Sequence, residues 1–145
     1  MKKVIVLTGV SGVGKTHTRL NDPELKDLPY VDIADIYQEH PEYDWSDALY
    51  ILLQRLRFML REQEDDTIVV EGYFLPGSPS RRKLVSDMKV AGAKVEFREL
   101  WECFEVCQGR ICAQWERGEI SAVQCRGRIE MLKSCWRPAP PGVEG

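Results

Sequence analysis

One segment near the start of the chain has the residue types and spacing that bind phosphate. The letters GVSGVGKT, residues 9–16, match the pattern G-x-x-x-x-G-K-[ST] at every fixed position. Its glycines let backbone N–H groups wrap round phosphates, its lysine reaches the β- and γ-phosphates, and its hydroxyl is offered to Mg²⁺. An apolar run precedes the segment and a helix is expected after it. This Walker A pattern therefore predicts a nucleotide-binding loop, or P-loop.

The predicted loop assigns several roles at once. The expected nucleotide-binding residues are Gly9, Ser11, Gly12, Val13, Gly14, Lys15, Thr16 and His17, with Arg110 from a later helix. Lys15 is also predicted to be catalytic, because it would hold the phosphoryl group that is transferred. Thr16 is expected to be a magnesium ligand.

Acidic residues follow two further predicted strands, at the edge where ligands of parallel sheets bind. Glu71, in TIVVEG, is expected to act on Mg²⁺ directly or through water, or else to cap the strand or pair with a lysine. Asp35, in VDIADIY, could orient a hydroxyl acceptor and take its proton, or could cap a helix turn beginning at Ile36. Asp32 is given less weight, because it could point to the other side of its strand.

Arginines in a predicted first helical turn suggest that an anion is bound. Arg81 and Arg82 follow LPGSPS, and positive charge at that end of a helix opposes the helix dipole. Both are predicted to bind the acceptor, although two solvated arginines would give the same pattern.

Later arginines could close over a triphosphate. Arg110 and Arg117 are seven residues apart, so they share one face of a predicted helix and could neutralise charge on the moving phosphoryl group. The alternative is a charged helix surface, and this alternative is favoured for Arg126 and Arg128.

Strands alternate with helices along the chain, which predicts an α/β fold. The expected architecture is a P-loop NTPase three-layer sandwich whose central, mainly parallel four-stranded sheet is flanked by helices. The predicted strands are 2–8, 30–33, 67–70 and 94–100, with the first and third central and the fourth at an edge. The predicted helices start near residue 15 and span 47–63, 81–91, 102–117 and 121–135. The segment DIYQEHPEYDWSD, residues 35–47, is read as a polar connection that leads into the second of these helices. Residues 1–137 are expected to form one domain, and residues 138–145 a flexible, proline-rich tail.

Composition limits the partners of this chain. The 145 residues carry a net charge of −3, which argues against a broad nucleic-acid-coating surface but allows a narrow pocket for one strand end. No apolar run approaches the ~20 residues that span a bilayer, and the run VIVL after two lysines is too short for a secretion signal. We expect a cytoplasmic protein without a membrane partner. Its five cysteines include no C-x-x-C pair, and we expect them to be reduced packing residues.

The order of these features resembles that of small P-loop kinases related to phage polynucleotide kinase, which phosphorylate 5′-hydroxyl ends. This resemblance implies ATP and Mg²⁺ as cofactors and Asp35 as general base. Gln38 stands near the place where that family often has an arginine for the acceptor phosphate. LPGSPSRRKL resembles its proline-and-arginine segment, and the resemblance also places Arg110 and Arg117 in its lid.

The resulting hypothesis is an ATP-dependent kinase that transfers the γ-phosphoryl group to a hydroxyl acceptor, with a DNA or RNA 5′-hydroxyl end preferred. The predicted acceptor-binding residues are Asp35, Gln38, Arg81 and Arg82. A kinase for a small metabolite or nucleoside is a close alternative. A nucleotide-binding regulatory protein with little catalysis is another, and a motor-type ATPase is a weaker one. The oligomeric state is not predicted.

Overall fold

The computed structural model describes residues 2–138, so the predicted tail lies, after its first residue, outside the described part of the chain. The elements are β1 (Lys2–Thr8), α1 (Lys15–Asn21), β2 (Tyr30–Asp32), α2 (Ile33–Glu39), α3 (Trp45–Glu62), β3 (Thr67–Gly72), α4 (Pro79–Val90), β4 (Ala93–Glu99), α5 (Phe104–Glu116) and α6 (Ala122–Cys135). In residues 2–138, no helix is long and apolar enough to cross a membrane.

The four strands form one parallel sheet in the order β2-β3-β1-β4. β1 and β3 are central and almost wholly buried, because helices cover both faces of the sheet. β4 lies at an edge, where Glu96 and Arg98 alternate with Val95 and Phe97 and form an ion pair with each other. The predicted α/β fold and the placing of these three strands are confirmed.

Alternation along β1 separates two layers of core. Val4 and Val6 pack with α2, α3 and α4 on one face, whereas Ile5 and Leu7 pack with Leu25 on the other. A third cluster joins α5 and α6 to the phosphate-loop residue Val13. The two terminal helices are thus packed against the loop by a small core of their own.

One segment differs from the expectation. Residues 33–39 form helix α2, where the sequence indicated the end of a strand and a polar connection. Asp32 caps this helix by accepting a hydrogen bond of 2.9 Å from the backbone N–H of Ala34. Ile33 and Ile36 are buried in the main core, and this burial stabilises a helix whose β-branched residues give it weak intrinsic propensity. The prediction was wrong because tertiary packing outweighed local propensity.

Candidate functional site

The predicted phosphate loop connects β1 to α1, and glycine is required at two of its positions. Gly12 and Gly14 have φ angles of +81° and +103°, in the left-handed region that other residues rarely adopt. A Cβ atom on Gly12 would lie 2.4 Å from the carbonyl oxygen of Cys107. The loop is therefore both folded back on itself and packed against the backbone of α5.

Lys15 closes the loop on itself. Its Nζ donates hydrogen bonds to the carbonyl oxygens of Gly9, at 2.7 Å, and Val10, at 3.1 Å. Burial lowers the pKa of Lys15 to about 8, and the carboxylates of Asp32 and Glu71 oppose this shift only in part. The ammonium group is thus held where anionic phosphates would supply the missing compensation.

The remaining predicted loop residues surround this lysine. Val13 is buried, Ser11 is half-buried, and Thr16 and His17 are exposed at the start of α1. The His17 ring lies 3.2 Å from the Asn21 side chain, one helical turn along α1. His17 therefore stays a prediction as a nucleotide contact.

Glu71 at the end of β3 is buried and has two partners. It accepts a 2.6 Å hydrogen bond from the Thr16 hydroxyl, and its other oxygen accepts from Arg19 Nε. Arg19 is itself buried, and its guanidinium carbon lies 3.5 Å from the ring centroid of Tyr30. The sequence reasoning missed Arg19, although its position three residues after Thr16 puts both on one face of α1.

The oxygen donors at this place suit Mg²⁺, which prefers hydroxyl, carboxylate, phosphate and water oxygens. The Thr16 hydroxyl is exposed and can bind the ion directly. Both Glu71 oxygens are engaged, by Thr16 and Arg19, which favours contact with the ion through water. Residues 2–138 contain no group of three or more acidic, histidine or cysteine side chains arranged to hold a metal. Nucleotide phosphates would have to complete such a site.

Asp32, to which the sequence analysis gave less weight than to Asp35, lies close to charged residues of the predicted nucleotide site. Burial, and then the carboxylate of Glu71, raises the pKa of Asp32 to about 6. The backbone N–H of Ala34 and the charge of Lys15 oppose this shift. The Asp32 carboxylate is therefore close enough to Lys15 and Glu71 for each to influence its ionisation.

Asp32 also lines a cavity of about 590 Å³ beside β2, between α2 and α3. Other lining residues are Asp35, Glu39, Arg55, Tyr30 and Phe58. Asp35 is exposed in the first turn of α2, and Arg55 is ion-paired with Glu39. Asp32 lines this cavity and is also close enough to Lys15 and Glu71 to be influenced by their charges, so the cavity adjoins the phosphate loop. Gln38 is exposed on α2, outside the set of described residues that line this cavity.

Arg81 and Arg82 lie elsewhere, along a cavity of about 450 Å³ between α4 and β4. Arg81 is ion-paired with Glu99 and lies 3.8 Å from the ring centroid of Phe97. Arg82 donates a 2.6 Å hydrogen bond to the carbonyl oxygen of Gly77. The two cavities share no described lining residue, so these arginines are not brought together with Asp35.

The later arginines differ in their distance from the loop. Arg110 on α5 donates a 3.0 Å hydrogen bond to the Gly12 carbonyl oxygen, whereas Arg117 at the end of α5 forms an ion pair with Glu119 at 2.7 Å. Arg128 on α6 was expected to be a surface residue. Its positive charge nevertheless contributes to lowering the pKa of Lys15. Only the packing of α6 beside α5 brings Arg128 there, and no local sequence signal indicates it.

Comparisons with known proteins identify the fold. No protein-family model matches the chain, and a search of curated protein sequences gives no match. Among solved structures, a gluconokinase from Sinorhizobium meliloti is 18% identical, with a TM-score of 0.58 over 97% of this chain and 78% of that one. Shikimate kinase from Acinetobacter baumannii, in complex with shikimate, is 15% identical, with a TM-score of 0.54 over 93% and 76% of the two chains.

A third similar structure was solved with ligands. The APS kinase of Mycobacterium tuberculosis, in complex with AMPPNP and APS, is 16% identical, with a TM-score of 0.55 over 91% of this chain and 98% of that one. At such identities the likeness concerns the fold, and the chain has the α/β fold of P-loop kinases. The finer resemblance to phage polynucleotide kinase is not confirmed and stays a prediction.

Proposed function

We propose that this chain is an ATP-dependent kinase that transfers the γ-phosphoryl group to a hydroxyl of a small molecule bound in the cavity beside Asp32. One observation carries the proposal. Asp32 lines that cavity and is also electrostatically coupled to Lys15 and Glu71. A hydroxyl held in the cavity would therefore lie next to the phosphates held by the loop, as in-line transfer requires.

The loop residues would bind the nucleotide. The glycine-rich backbone and Lys15 would hold the phosphates, and Thr16, with Glu71 hydrogen-bonded to it, would hold the magnesium ion. When bound, this ion supplies positive charge that neutralises the phosphates. The Arg19–Glu71 ion pair would fix the orientation of the Thr16 hydroxyl. Arg19 donates to one oxygen of the Glu71 carboxylate, and Thr16 donates to the other.

Two carboxylates would act on the acceptor. Asp32, with a pKa of about 6, is placed beside the phosphates and would take the hydroxyl proton. Asp35, at the cavity wall, would orient the acceptor. Arg110 and Arg128 would neutralise charge on the phosphates from the other side of the loop, and Arg117 remains a predicted contributor from the sequence.

The charge of the cavity favours a small acceptor over a nucleic-acid end. Among the described residues that line it are three carboxylates, those of Asp32, Asp35 and Glu39, and one arginine, Arg55, which is paired with Glu39. The phosphates of a strand would be repelled by this lining. The aromatic rings of Tyr30 and Phe58 give it an apolar wall instead. A nucleic-acid 5′ end stays the second candidate, supported by the arginines Arg81 and Arg82 near the start of α4.

The test is transfer from γ-labelled ATP with Mg²⁺ to a panel of acceptors. The panel contains nucleosides, neutral sugars, amino sugars, sugar acids, and 5′-hydroxyl DNA and RNA oligonucleotides. We expect label on a small neutral or cationic acceptor, lost in Lys15→Ala. Label on oligonucleotides alone would replace the small acceptor by a strand end. Nucleotide binding without transfer to any acceptor would instead favour the regulatory alternative.

A matched pair of variants connects the transfer to the cavity. Arg55→Gln removes the positive charge that the described lining residues contribute to the cavity. Arg57→Gln removes a neighbouring positive charge on α3, which is paired with Asp87 and does not line the cavity. For a cationic acceptor we expect KM to fall in the first variant and to stay unchanged in the second. Equal KM values in all three proteins would separate the acceptor from this cavity.

A further inference from the structure

The cavity of about 450 Å³ between α4 and β4 has a positive lining. Among the described residues that line it, Arg81, Arg82 and Lys89 are charged and none is acidic. The phosphate loop, residues 9–16, supplies none of this described lining, so the cavity is separate from the predicted nucleotide site. Its charge is opposite to that of the cavity beside Asp32, which carboxylates line.

Arg81 forms a fixed part of the cavity wall. Its side chain is only 19% exposed and is ion-paired with Glu99. Its guanidinium carbon lies 3.8 Å from the ring centroid of Phe97, which also lines the cavity. The charge of Arg81 is thus largely neutralised by Glu99, and the other two cations determine what the cavity attracts.

Arg82 and Lys89 are exposed, and no carboxylate of α4 is left to neutralise them. The single acidic residue of this helix is Asp87, which pairs with Lys83 at 3.1 Å and with Arg57 at 2.7 Å. Among residues 2–138, neither Arg82 nor Lys89 has a carboxylate oxygen within 4.0 Å, whereas Lys83, on the same helix, does. Two positive charges therefore border the cavity without a counter-charge from the described protein.

One face of α4 carries the cavity residues at positions 82, 85, 86 and 89. A rise of about 1.5 Å per residue places Arg82 and Lys89 about 10 Å apart along the helix axis. Between them, Val85, which is 41% exposed, and the Phe97 ring give the cavity an apolar surface. This arrangement suits an elongated ligand with a negative group at each end and an uncharged middle.

We propose that this cavity binds a small organic molecule with two phosphate-type groups, at a site distinct from the nucleotide loop. One group would accept hydrogen bonds from the Arg82 guanidinium, whose planar fork matches phosphate oxygens, and the other from the Lys89 ammonium. The middle of the molecule would pack on Val85 and Phe97. The volume is that of a small-molecule site, and a net charge of −3 argues against a long nucleic-acid track.

The first experiment titrates the full ¹⁵N-labelled chain with hexane-1,6-diol bisphosphate and follows its backbone amide resonances. The ionic strength is held constant, because salt screens exposed charges. We expect saturable shifts that are largest in residues 77–89 and at Phe97. Shifts confined to the phosphate loop, or no saturable shift at all, would overturn the proposal.

Charge variants on α4 test which side chains hold the ligand. Arg82→Gln and Lys89→Gln should each raise the Kd for the bisphosphate by about tenfold, as expected when a charge-assisted contact is lost. Lys83→Gln is the matched control, because Lys83 is a cation of the same helix that lies outside the described lining. It should change the Kd by less than about twofold. An equal loss in Lys83→Gln would indicate general attraction to a positive helix and would contradict a defined site.

Ligand length tests the two-ended arrangement. Ethane-1,2-diol bisphosphate and inorganic phosphate should bind about tenfold more weakly than the hexane compound, because neither can reach both cations at once. Equal affinities would contradict binding at two ends. Shifts of residues 77–89 with a single-stranded oligonucleotide but not with the hexane compound would replace the small ligand by a nucleic acid. These titrations contain neither ATP nor acceptor, so their outcome is independent of the proposed transfer.

Discussion

Two pairs of oppositely charged residues lie near each other at the rim of the sheet, Arg19 with Glu71 and Lys15 with Asp32. The first pair is directly bonded and the second is not. Arg19 and Glu71 are both buried and directly bonded, and the second oxygen of Glu71 accepts from Thr16. Lys15 and Asp32 influence each other's ionisation without forming an ion pair within 4.0 Å among residues 2–138. Burial disfavours the charged form of each residue. It lowers the pKa of Lys15 to about 8 and raises the pKa of Asp32 to about 6.

Under the proposed function, this difference would separate a pair that positions the site, Arg19 and Glu71, from a pair that takes part in transfer, Lys15 and Asp32. Arg19 and Glu71 satisfy each other, and no buried side-chain nitrogen or oxygen among the described residues lacks a hydrogen-bond partner. Lys15 and Asp32 are less well compensated by their protein neighbours, so a ligand with phosphates and a hydroxyl can improve their surroundings. We therefore expect substitutions of the first pair to lower stability, and substitutions of the second pair to lower activity while raising stability.

The largest effect is expected at Lys15. Lys15→Met should reduce transfer by roughly 10³-fold or more, because the charge that holds the transferring phosphoryl group is lost. Its stability should rise at pH 7 by about 1–3 kcal/mol, because a lysine with a lowered pKa pays a desolvation penalty while it is protonated. That penalty is complete below about pH 8 and fades as the pH approaches the unfolded value of 10.5.

Chemical denaturation of Lys15→Met and of the unsubstituted chain at pH 7 and pH 10 measures this gain, and labelled ATP measures transfer. Lys26→Met, at an exposed position, is the matched control and should change neither. Equal stability of Lys15→Met and the unsubstituted chain at pH 7 would show that protein groups alone offset the desolvation of the Lys15 ammonium. The contrast between the two charged pairs would then be wrong.

At Arg19 the expected effect is on stability. Arg19→Met leaves the buried carboxylate of Glu71 without its cation, which should lower the free energy of unfolding by about 3–5 kcal/mol. The double variant Arg19→Met/Glu71→Gln should lose less, because it buries no unpaired charge. Urea unfolding of the two single variants and the double variant gives the coupling between the residues. Additive losses would mean that the pair does not act as a unit.

Asp32 should give the clearest contrast between stability and activity. Asp32→Asn keeps a good helix cap for α2 but removes the proton acceptor, so transfer should fall by roughly 10²-fold. A raised carboxyl pKa makes the ionised form unfavourable in the fold. The unsubstituted chain should therefore lose stability relative to Asp32→Asn as the pH rises from about 4 to about 6, reaching a difference of about 2–3 kcal/mol.

Unfolding curves at pH 4, 5, 6 and 7 measure that difference, with Asp35→Asn as the matched variant on the same cavity. Asp35→Asn should lower transfer mainly through a higher KM, since Asp35 is proposed to orient the acceptor. The opposite result would be a kcat that falls by roughly 10²-fold in Asp35→Asn while Asp32→Asn keeps full activity. The proton acceptor would then be Asp35, as the sequence first indicated.

Much of this organisation follows from local sequence. The glycine pattern, the apolar strands and the caps at Asp44 and Ser121 are encoded within a few residues, and the structure has the loop, the parallel sheet and α3 and α6 near their predicted places. The partners of Glu71, the position of Arg128 and the helix at residues 33–39 depend on which elements pack together. Such contacts join residues far apart in sequence, so composition and periodicity do not reveal them.

The smallest effect tests which of the two predicted lid arginines reaches the nucleotide. Arg110 contacts the Gly12 carbonyl and sits at the loop, whereas Arg117 pairs with Glu119 at the exposed end of α5. Arg110→Ala should weaken nucleotide binding or transfer by roughly tenfold, as expected for one charge-assisted contact. Arg117→Ala should change it by less than about twofold, since exposed ion pairs contribute little.

Titration with a fluorescent ATP analogue separates these two variants at once. A loss at Arg117 equal to that at Arg110 would mean that α5 moves on nucleotide binding, so that its far end comes to the phosphates. Because Arg110 contacts the loop through the Gly12 carbonyl oxygen, a small motion of its side chain would bring it to a phosphate bound there. The ratio of the affinity lost in Arg117→Ala to that lost in Arg110→Ala therefore measures how far α5 has to move when nucleotide binds.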